Sequence, residues 1–240
     1  MAGLVISFSQ ASLATAIGLS TAGILVASRP PNPTPPKVPD GGDSLRKVVN
    51  VQQKYGSVQD LMISGLALHQ IALVLTYPNP PASLLRNAAV NGINTRLITW
   101  SKETAIPLAL ILCIGVPLRF AAYGGLGKNF TFGLSTPDRL KTTGLYRYLQ
   151  HPSYTGAYAL ALGILGLWLR PDGVLSCFIS PKFFPTVRRF DLVAMSAPAI
   201  MLATMIFSRV KEEEQLLRRQ FGAEWEDWHA RTARFIPFLF

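Results

Sequence analysis

A polar, ring-rich stretch lies directly in front of an apolar run near the middle of the chain. Residues 144–156 read Gly-Leu-Tyr-Arg-Tyr-Leu-Gln-His-Pro-Ser-Tyr-Thr-Gly. Pro152 disfavours a helical conformation at His151 and suits the first turn of the helix that follows. The imidazole of His151 is therefore expected at a helix N-terminus, beside unpaired backbone N–H groups and the positive end of the helix dipole. The pattern indicates either a ligand-binding loop or a capped loop that enters a membrane helix.

A second group of chemistry-bearing residues lies near the C-terminus, where residues 209–234 are densely charged. Arg209 and Glu213 are four residues apart on a predicted helix, so their side chains share one face. As a surface salt pair they would contribute roughly a few tenths of a kcal/mol. Arg209, however, falls where the chain is expected to leave a membrane, and a charge at that depth is costly unless it has a partner or a function.

The composition is that of a membrane protein. Of 240 residues, 49% are hydrophobic and only 15% are charged, whereas soluble domains carry about 25% charged residues. The formal net charge is +10, but the basic residues lie between apolar runs rather than on one stripe. Loops that face anionic lipid and cytosol explain them better than nucleic acid does. Cys113 and Cys177 lie in or beside apolar segments and are expected to be core thiols rather than zinc ligands or a disulfide.

The apolar runs predict an all-α, polytopic integral membrane protein with about five transmembrane helices. The first run has no Lys or Arg before Arg29, which favours a membrane span, with a cleaved leader as the alternative. The fourth run is short for a span unless it tilts or starts inside the interface. The five runs are residues 4–28, 58–77, 105–123, 153–169 and 190–208.

The segments between these runs are polar. Residues 29–39 are rich in proline and are expected to be extended, and residues 41–57 are expected at the surface. His69 and Gln70 lie within the second run and are expected to face other helices, with His69 making a packing hydrogen bond rather than binding a ligand. Only two crossings separate His151 from Arg209, so the two clusters lie on one face of the bilayer. The distribution of basic residues predicts that this face is cytosolic.

Taken together, the two clusters resemble the isoprenylcysteine carboxyl methyltransferase family, within the wider group of membrane methyltransferases that includes phospholipid methyltransferases. The resemblance covers roughly the C-terminal half of the chain and consists of an ordered set of motifs at the family's spacing. The matching positions are Arg119, Leu126-Gly127, Phe130-Thr131-Phe132, the segment 140–146, His151-Pro152-Ser153-Tyr154, Gly156, Arg209, Glu213-Glu214, Leu217, Phe221-Gly222, Glu224-Trp225, Trp228, Arg231 and Ile236-Pro237.

The chain departs from the family pattern at three places. Gln150 stands where the family usually has Arg before His-Pro, and Asp138 stands where a His is usual. Trp225 and Trp228 replace tyrosines. Gln150 can still donate hydrogen bonds but brings no charge, so it cannot supply an ionic contact to an anion.

The resemblance implies S-adenosylmethionine as the methyl donor, bound in a cytosol-facing pocket formed by a loop and the C-terminal helical segment. No strand–glycine-loop–helix unit is visible, which agrees with a cofactor site that is not a Rossmann sheet. No metal site is expected. The cofactor residues implied are Tyr146, His151, Pro152, Ser153, Tyr154 and Glu213, with Asp138, Arg139, Leu140 and Lys141 contributing largely through their backbone.

The acceptor implied by the resemblance is the free C-terminal carboxylate of a prenylated cysteine in client proteins. Arg209 is expected to hold this carboxylate, and Arg119 is a second candidate for that catalytic role. The resemblance also implies a multi-pass protein of the endoplasmic reticulum membrane with a cytosolic C-terminus. On this interpretation, residues 1–104 are membrane spans with a proline-rich connector at 28–57, and residues 105–240 are the catalytic region.

Two other functions remain open at this point. An enzyme that methylates a lipid amine such as phosphatidylethanolamine shares the cofactor motifs, but an ammonium must lose a proton before it attacks, so that reaction needs a base. Arg209 would also repel an ammonium. The other alternative is a relative without catalytic activity, in which Gln150 and Asp138 mark the loss of function.

Overall fold

The computed structural model describes residues 6–34 and 42–237. Within this part of the chain the regular structure is helical, and an isolated parallel bridge joins Leu149 and Ala233. Four helical segments are long and apolar enough to cross a membrane. The prediction of an all-α, polytopic membrane protein is confirmed.

The long helices follow the apolar runs of the sequence. The described helices are α1 (Phe8–Ala27), α2 (Arg46–Thr76), α3 (Ala82–Leu85), α4 (Ala88–Asn91), α5 (Lys102–Ala109), α6 (Val116–Leu126), α7 (Pro152–Trp168), α8 (Phe184–Arg189), α9 (Asp191–Phe221) and α10 (Ala223–His229). The four candidate spans are α1, α2, the composite segment Thr95–Asn129 and α9. At 17 residues, α7 is about 26 Å long, near the lower limit for a span. Its length agrees with the prediction that the fourth run is short.

Several boundaries and local features differ from the sequence prediction. Helix α2 begins at Arg46 rather than at residue 58, because residues 46–57 contain Lys, Arg and Gln, which form helices well despite their polarity. Cys177 is buried as predicted, but Cys113 is exposed, so the prediction of two core thiols is wrong for Cys113. Part of the proline-rich connector, residues 35–41, lies outside the described residues, as do residues 4 and 5 of the first run.

The third apolar run contains a local change of helix type. Between α5 and α6, the segment Leu110–Gly115 is a π-helix. Pro107 lies inside α5, and Pro117 follows in the first turn of α6. Proline lacks the backbone N–H that an α-helix requires and crowds the preceding turn. The π-helical turn between the two prolines changes the hydrogen-bond pattern of the backbone. Carbonyl groups that a proline leaves without an N–H donor can then bond to other N–H groups.

The contacts divide the chain into two compact units. The first comprises Met1–Leu25, Ser57–Ile114 and Ala159–Ala199, and the second comprises Val26–Gly56, Gly115–Tyr158 and Ile200–Phe240. Each unit therefore combines three separate stretches of the sequence.

Polar side chains in the first unit bond to backbone carbonyls. The buried Gln70 donates to the Leu97 carbonyl at 2.7 Å. His69 contacts the Leu84 carbonyl at 2.9 Å, which confirms its predicted role as a packing hydrogen bond. Gln10 on α1 bonds to carbonyls at the end of α2, including that of Val74 at 3.0 Å. These bonds satisfy polar groups that would be costly if they faced hydrocarbon.

In the second unit, a glycine ends the long helix α9. Gly222 has φ +53°, a positive value that residues with a side chain rarely adopt. The chain turns there into α10, which packs Trp225 and Trp228 against Tyr146 in a buried aromatic cluster. The indole N–H of Trp228 donates to the Tyr146 carbonyl at 2.8 Å. The turn at Gly222 thus brings the C-terminal segment to the loop in front of α7.

Close packing within the first unit predicts a stability effect at Gly163. A Cβ added to Gly163 would lie 3.0 Å from the Pro107 carbonyl oxygen and closer still to the Ile111 side chain. We expect Gly163→Ala to lower the free energy of unfolding by about 1–3 kcal/mol, because overpacking forces neighbouring groups to shift. The matched control is Gly65→Ala on α2, where an added Cβ meets no atom within 4 Å. Thermal unfolding of both variants in detergent measures the difference, and equal melting temperatures would contradict the prediction.

Candidate functional site

The loop in front of α7 pairs with the C-terminal segment through its backbone. Pro152 is the first residue of α7, as the sequence predicts. The backbone N–H of His151 donates to the Arg234 carbonyl at 3.0 Å, and that of Gln150 donates to the Ala233 carbonyl at 2.8 Å. His151 is therefore held in place by its own proline turn and by the end of the chain.

The side chain of Gln150 strengthens this pairing. Its amide nitrogen donates to the Thr232 carbonyl at 2.6 Å, and its Oε1 lies 2.9 Å from Nδ1 of His229. An amide oxygen can only accept, so Nδ1 of His229 carries the proton in this network. Burial lowers the pKa of His229, and the nearby Arg234 acts in the same direction, although Glu214 opposes them. Gln150, which stands where the family usually has Arg, therefore bonds to the C-terminal segment in this structure.

The imidazole of His151 faces two carboxylates. Its side chain is only 2% exposed, with Nδ1 3.9 Å from Oε2 of Glu213 and Nε2 3.5 Å from Oε1 of Glu214. Both distances exceed those of ordinary hydrogen bonds. Nε2 is a buried polar atom without a hydrogen-bond partner among the described residues. Glu214 is bound at 2.7 Å by Arg234, whereas the Glu213 side chain is 30% exposed.

Tyr154 connects α7 to α9. Its hydroxyl donates to Oε2 of Glu213 at 2.8 Å and accepts a bond from Nε of Arg209 at 3.3 Å. Two clusters that lie more than fifty residues apart in the sequence therefore meet at one hydroxyl. The membrane topology predicted from the sequence places both clusters on one face of the bilayer, and in the structure they are in contact.

The guanidinium of Arg209 is buried and paired. The side chain is 2% exposed, and Nη1 lies 2.5 Å from Oδ1 of Asp43, whose side chain is fully buried. Nη2 donates to the Phe132 carbonyl at 2.9 Å. The other oxygen of Asp43 accepts from the backbone N–H of Leu134 at 2.9 Å. Asp43 was expected at the surface with the rest of residues 41–57, and its burial corrects that prediction.

No local signal in the sequence marks Asp43 as a site residue. An Asp after two glycines and before a helix is typical of a turn or an N-cap. Its partner is 166 positions away in the chain. The helical spacing of Arg209 and Glu213 drew attention to α9, but it contains no information about which carboxylate meets Arg209.

Arg119 occupies a separate buried position in the same unit. Its Nη1 donates to Oγ of Ser153 at 2.8 Å, and Nε and Nη2 both donate to the Ala27 carbonyl. Its guanidinium also lies 4.8 Å from the ring centre of Phe132 and 4.9 Å from that of Tyr123. Ser153 precedes Tyr154 on the first turn of α7, so Arg119 contacts the helix turn that also carries the hydroxyl between Arg209 and Glu213.

The remaining residues expected to bind the cofactor fall into two groups. Tyr146 belongs to the buried aromatic cluster, and Leu140 packs against that cluster. Burial raises the pKa of Tyr146, and the negative charge of Glu213 raises it further, which connects this ring electrostatically to the site. Arg139 is exposed and Lys141 is half-buried.

Asp138 makes contacts of its own at the surface. It lies 2.9 Å from Nζ of Lys128 and accepts from the Asn129 amide. Hydrogen bonding by Lys128 and then by Asn129 lowers the pKa of Asp138 to about 2, so the carboxylate is ionised at neutral pH. Among the described residues, Asp138 bonds to Lys128 and Asn129 and not to His151 or Glu213.

Residues 108–190 match the sequence model of the isoprenylcysteine carboxyl methyltransferase (ICMT) family. The family resemblance predicted from the motifs is confirmed. The chain is also similar to proteins named protein-S-isoprenylcysteine O-methyltransferase. It is 28% identical to that of Mus musculus over 147 residues, or 59% of the chain and 43% of the relative. For Homo sapiens the identity is 29%, with the same coverage of both chains. For Schizosaccharomyces pombe it is 27%, over 53% of the chain and 47% of the relative.

These comparisons cover part of the site. The match covers less than half the length of each of these three relatives. The matched ICMT region contains Arg119, His151 and Tyr154 but ends before α9. Arg209 and Glu213 are therefore assigned to the candidate site because Tyr154 contacts both of them.

The pairing between the loop and the C-terminal segment predicts an effect of Gln150→Ala. The substitution removes the amide donor to the Thr232 carbonyl and leaves a buried carbonyl without this bond, at a cost of about 1–3 kcal/mol. We expect faster hydrogen exchange in residues 229–236 and faster cleavage of this segment by protease. Gln220→Ala, at an exposed position on α9, is the matched control. Unchanged exchange in Gln150→Ala would show that the backbone pairing alone holds the segment.

Proposed function

We propose that this chain transfers a methyl group from S-adenosylmethionine to the C-terminal carboxylate of a prenylated cysteine, which gives a methyl ester. The main support is the hydrogen bond from Tyr154 to Glu213 at 2.8 Å. It joins the segment that matches the ICMT family to the acidic helix that follows. With His151, these residues form one polar cluster of rings and carboxylates.

The residues around His151 have the chemistry to hold the methyl donor. When bound, S-adenosylmethionine supplies an electrophilic methyl group on a positively charged sulfur. Glu213 is partly exposed and can accept hydrogen bonds from ribose hydroxyls or face a cationic group. Nε2 of His151 makes no hydrogen bond among the described residues and lies 3.5 Å from Oε1 of Glu214, so His151 would support the ligand-facing carboxylates from behind. The tyrosine rings can contact a cation through their faces, an interaction of about 0.5–2 kcal/mol.

The acceptor needs alignment rather than activation. A carboxylate is ionised and nucleophilic at neutral pH, so the site requires no general base. The acceptor oxygen forms a bond to the methyl carbon as the carbon–sulfur bond breaks, the electron pair stays on sulfur, and no proton moves. Arg209 would hold the carboxylate through charge-assisted hydrogen bonds of about 1.5–3 kcal/mol. Arg119, which donates to the Ser153 hydroxyl on the first turn of α7, is the second candidate for binding the carboxylate.

The proposed acceptor also requires access from the membrane. The apolar prenyl group would enter sideways from the bilayer between helices, which accounts for the membrane setting of the enzyme. Residues 105–240 would form the catalytic region, with the C-terminus in the cytosol at the endoplasmic reticulum membrane. Two buried arginines disfavour a cationic lipid amine as acceptor, because like charges repel when desolvated.

The acceptor class can be tested directly. We expect the protein in lipid vesicles to transfer labelled methyl groups from S-adenosylmethionine to farnesylated N-acetylcysteine and not to phosphatidylethanolamine. The product should be an ester that releases its label as methanol in base. Methylation of phosphatidylethanolamine alone would contradict the proposal, as would the absence of both transfer and donor retention.

The two roles can be separated by substitutions on α9. Glu213→Gln should weaken retention of labelled S-adenosylmethionine about tenfold or more, because it removes a charge that faces the donor. Arg209→Lys should retain the donor but raise the KM for the farnesylated acid about 10–100-fold, because lysine cannot reproduce the planar donor arrangement. Arg189→Lys, exposed on α8, is the control for the latter change. Equal loss of donor binding in Arg209→Lys would count against its assigned role.

A further inference from the structure

The residue proposed to hold the acceptor carboxylate already holds a carboxylate. Oδ1 of Asp43 lies 2.5 Å from Nη1 of Arg209. Both side chains are almost completely removed from solvent, with exposed fractions of 0% and 2%. Asp43 therefore presents to Arg209 the same functional group that a C-terminal cysteine would present.

We propose that Asp43 is an internal occupant of the acceptor site, and that the acceptor carboxylate displaces it from Arg209. The inference rests on the proposed function, because it assigns to Arg209 the binding of that carboxylate. Asp43 then acts as an autoinhibitory contact that the substrate must replace.

Charge favours exchange over the addition of a second carboxylate. Burial of the Arg209 guanidinium is costly unless polar groups replace its lost hydration, and the Asp43 carboxylate is the closest anion that does so. Two further carboxylates, both partly exposed, lie near Arg209: Oε2 of Glu212 is 3.9 Å from Nη1, and Glu213 is linked through the Tyr154 hydroxyl. A substrate carboxylate beside Asp43 would set two carboxylates against one buried guanidinium. Replacement of one carboxylate by another leaves the local charge unchanged.

The carboxylate of Asp43 is carried by a short turn and not by the interior of a helix. Asp43 lies in the turn before α2, which begins at Arg46. Gly42 directly before it has φ +89°, and a Cβ added there would meet no atom within 4 Å. On the far side of the carboxylate, Oδ2 accepts from the backbone N–H of Leu134 at 2.9 Å. Departure of the Asp43 carboxylate requires a change in this turn, which is also held by the bond from the Arg46 N–H to the Asp43 carbonyl at 3.1 Å.

Competition for Arg209 has a measurable consequence. If Asp43 occupies the site most of the time, the apparent affinity for the acceptor is reduced by the fraction of molecules in which the site is open. An occupancy near nine-tenths reduces it about tenfold. An uncharged isostere at position 43 should remove that competition.

The test is Asp43→Asn, measured with farnesylated N-acetylcysteine as acceptor. We expect the acceptor KM to fall about tenfold while kcat changes less than about twofold. Inhibition by the corresponding methyl ester, which carries no carboxylate, should stay the same. Asp227→Asn, exposed on α10, is the matched control and should leave both values unchanged.

A second variant provides an independent measurement and covers the case in which Asp43→Asn fails to fold. Asp43→Ala leaves room for a small anion beside Arg209. We expect added acetate to raise the melting temperature of this variant and to inhibit methylation competitively against the acceptor. The same acetate concentrations should leave the wild-type protein and Asp227→Asn unaffected.

The outcomes separate this inference from the proposed function. If the wild-type protein methylates no prenylcysteine acceptor, the proposed function fails. If the wild type is active but folded Asp43→Asn shows an unchanged or raised acceptor KM, Asp43 is a permanent positioning residue and the inference is overturned. Acetate that restores the activity of Asp43→Ala, rather than competing with the acceptor, would overturn it in the same way.

Discussion

The Arg209 guanidinium is a charge taken out of water, which costs several kcal/mol unless other polar atoms replace the lost hydration. The second unit supplies those atoms from three separate stretches of chain: the Asp43 carboxylate, the Phe132 carbonyl and the Tyr154 hydroxyl. In the protein without substrate, the bonds to this one charge position the turn before α2, the loop after α6 and the first turn of α7 relative to α9. Tyr154 extends the arrangement to Glu213 and thereby links the arginine to the His151 loop. The geometry of the candidate site follows from these bonds.

The C-terminal segment holds the loop in front of α7 in place. The backbone bridge at Leu149 and the amide of Gln150 hold the segment against the loop, and the turn at Gly222 allows the chain to return there. The indole N–H of Trp228 donates to the Tyr146 carbonyl. A tyrosine has no ring N–H and could donate only through its hydroxyl, which lies at a different position. The departures from the family pattern at positions 150 and 228 thus correspond to specific bonds in this structure. At position 138, Asp138 bonds to Lys128 and Asn129 at the surface.

Much of the fold is predictable because membrane helices can be recognised in a sequence by their length and hydropathy. The runs near α1, α2, α7 and α9 were found, and the fixed φ of Pro152 made the start of α7 a local property. The start of α2 was missed, because residues 46–57 are polar yet continue the helix. The exposed Cys113 was also misjudged, since an apolar run does not specify which of its faces is buried. Of the expected site residues, His151, Tyr154, Glu213 and Arg209 come together, and Asp138 binds elsewhere.

By itself, the sequence determined the class of protein, the helical segments and two clusters able to perform chemistry. These properties depend on composition and on neighbours within one or two helical turns, which a single sequence displays directly. The tertiary structure alone decided that Asp43 pairs with Arg209 and that Gln150 bonds to the chain end, because such contacts join residues 166 and 82 positions apart. Choosing between carboxylates for a buried arginine depends on which backbone segments meet around it, and no local pattern encodes that choice.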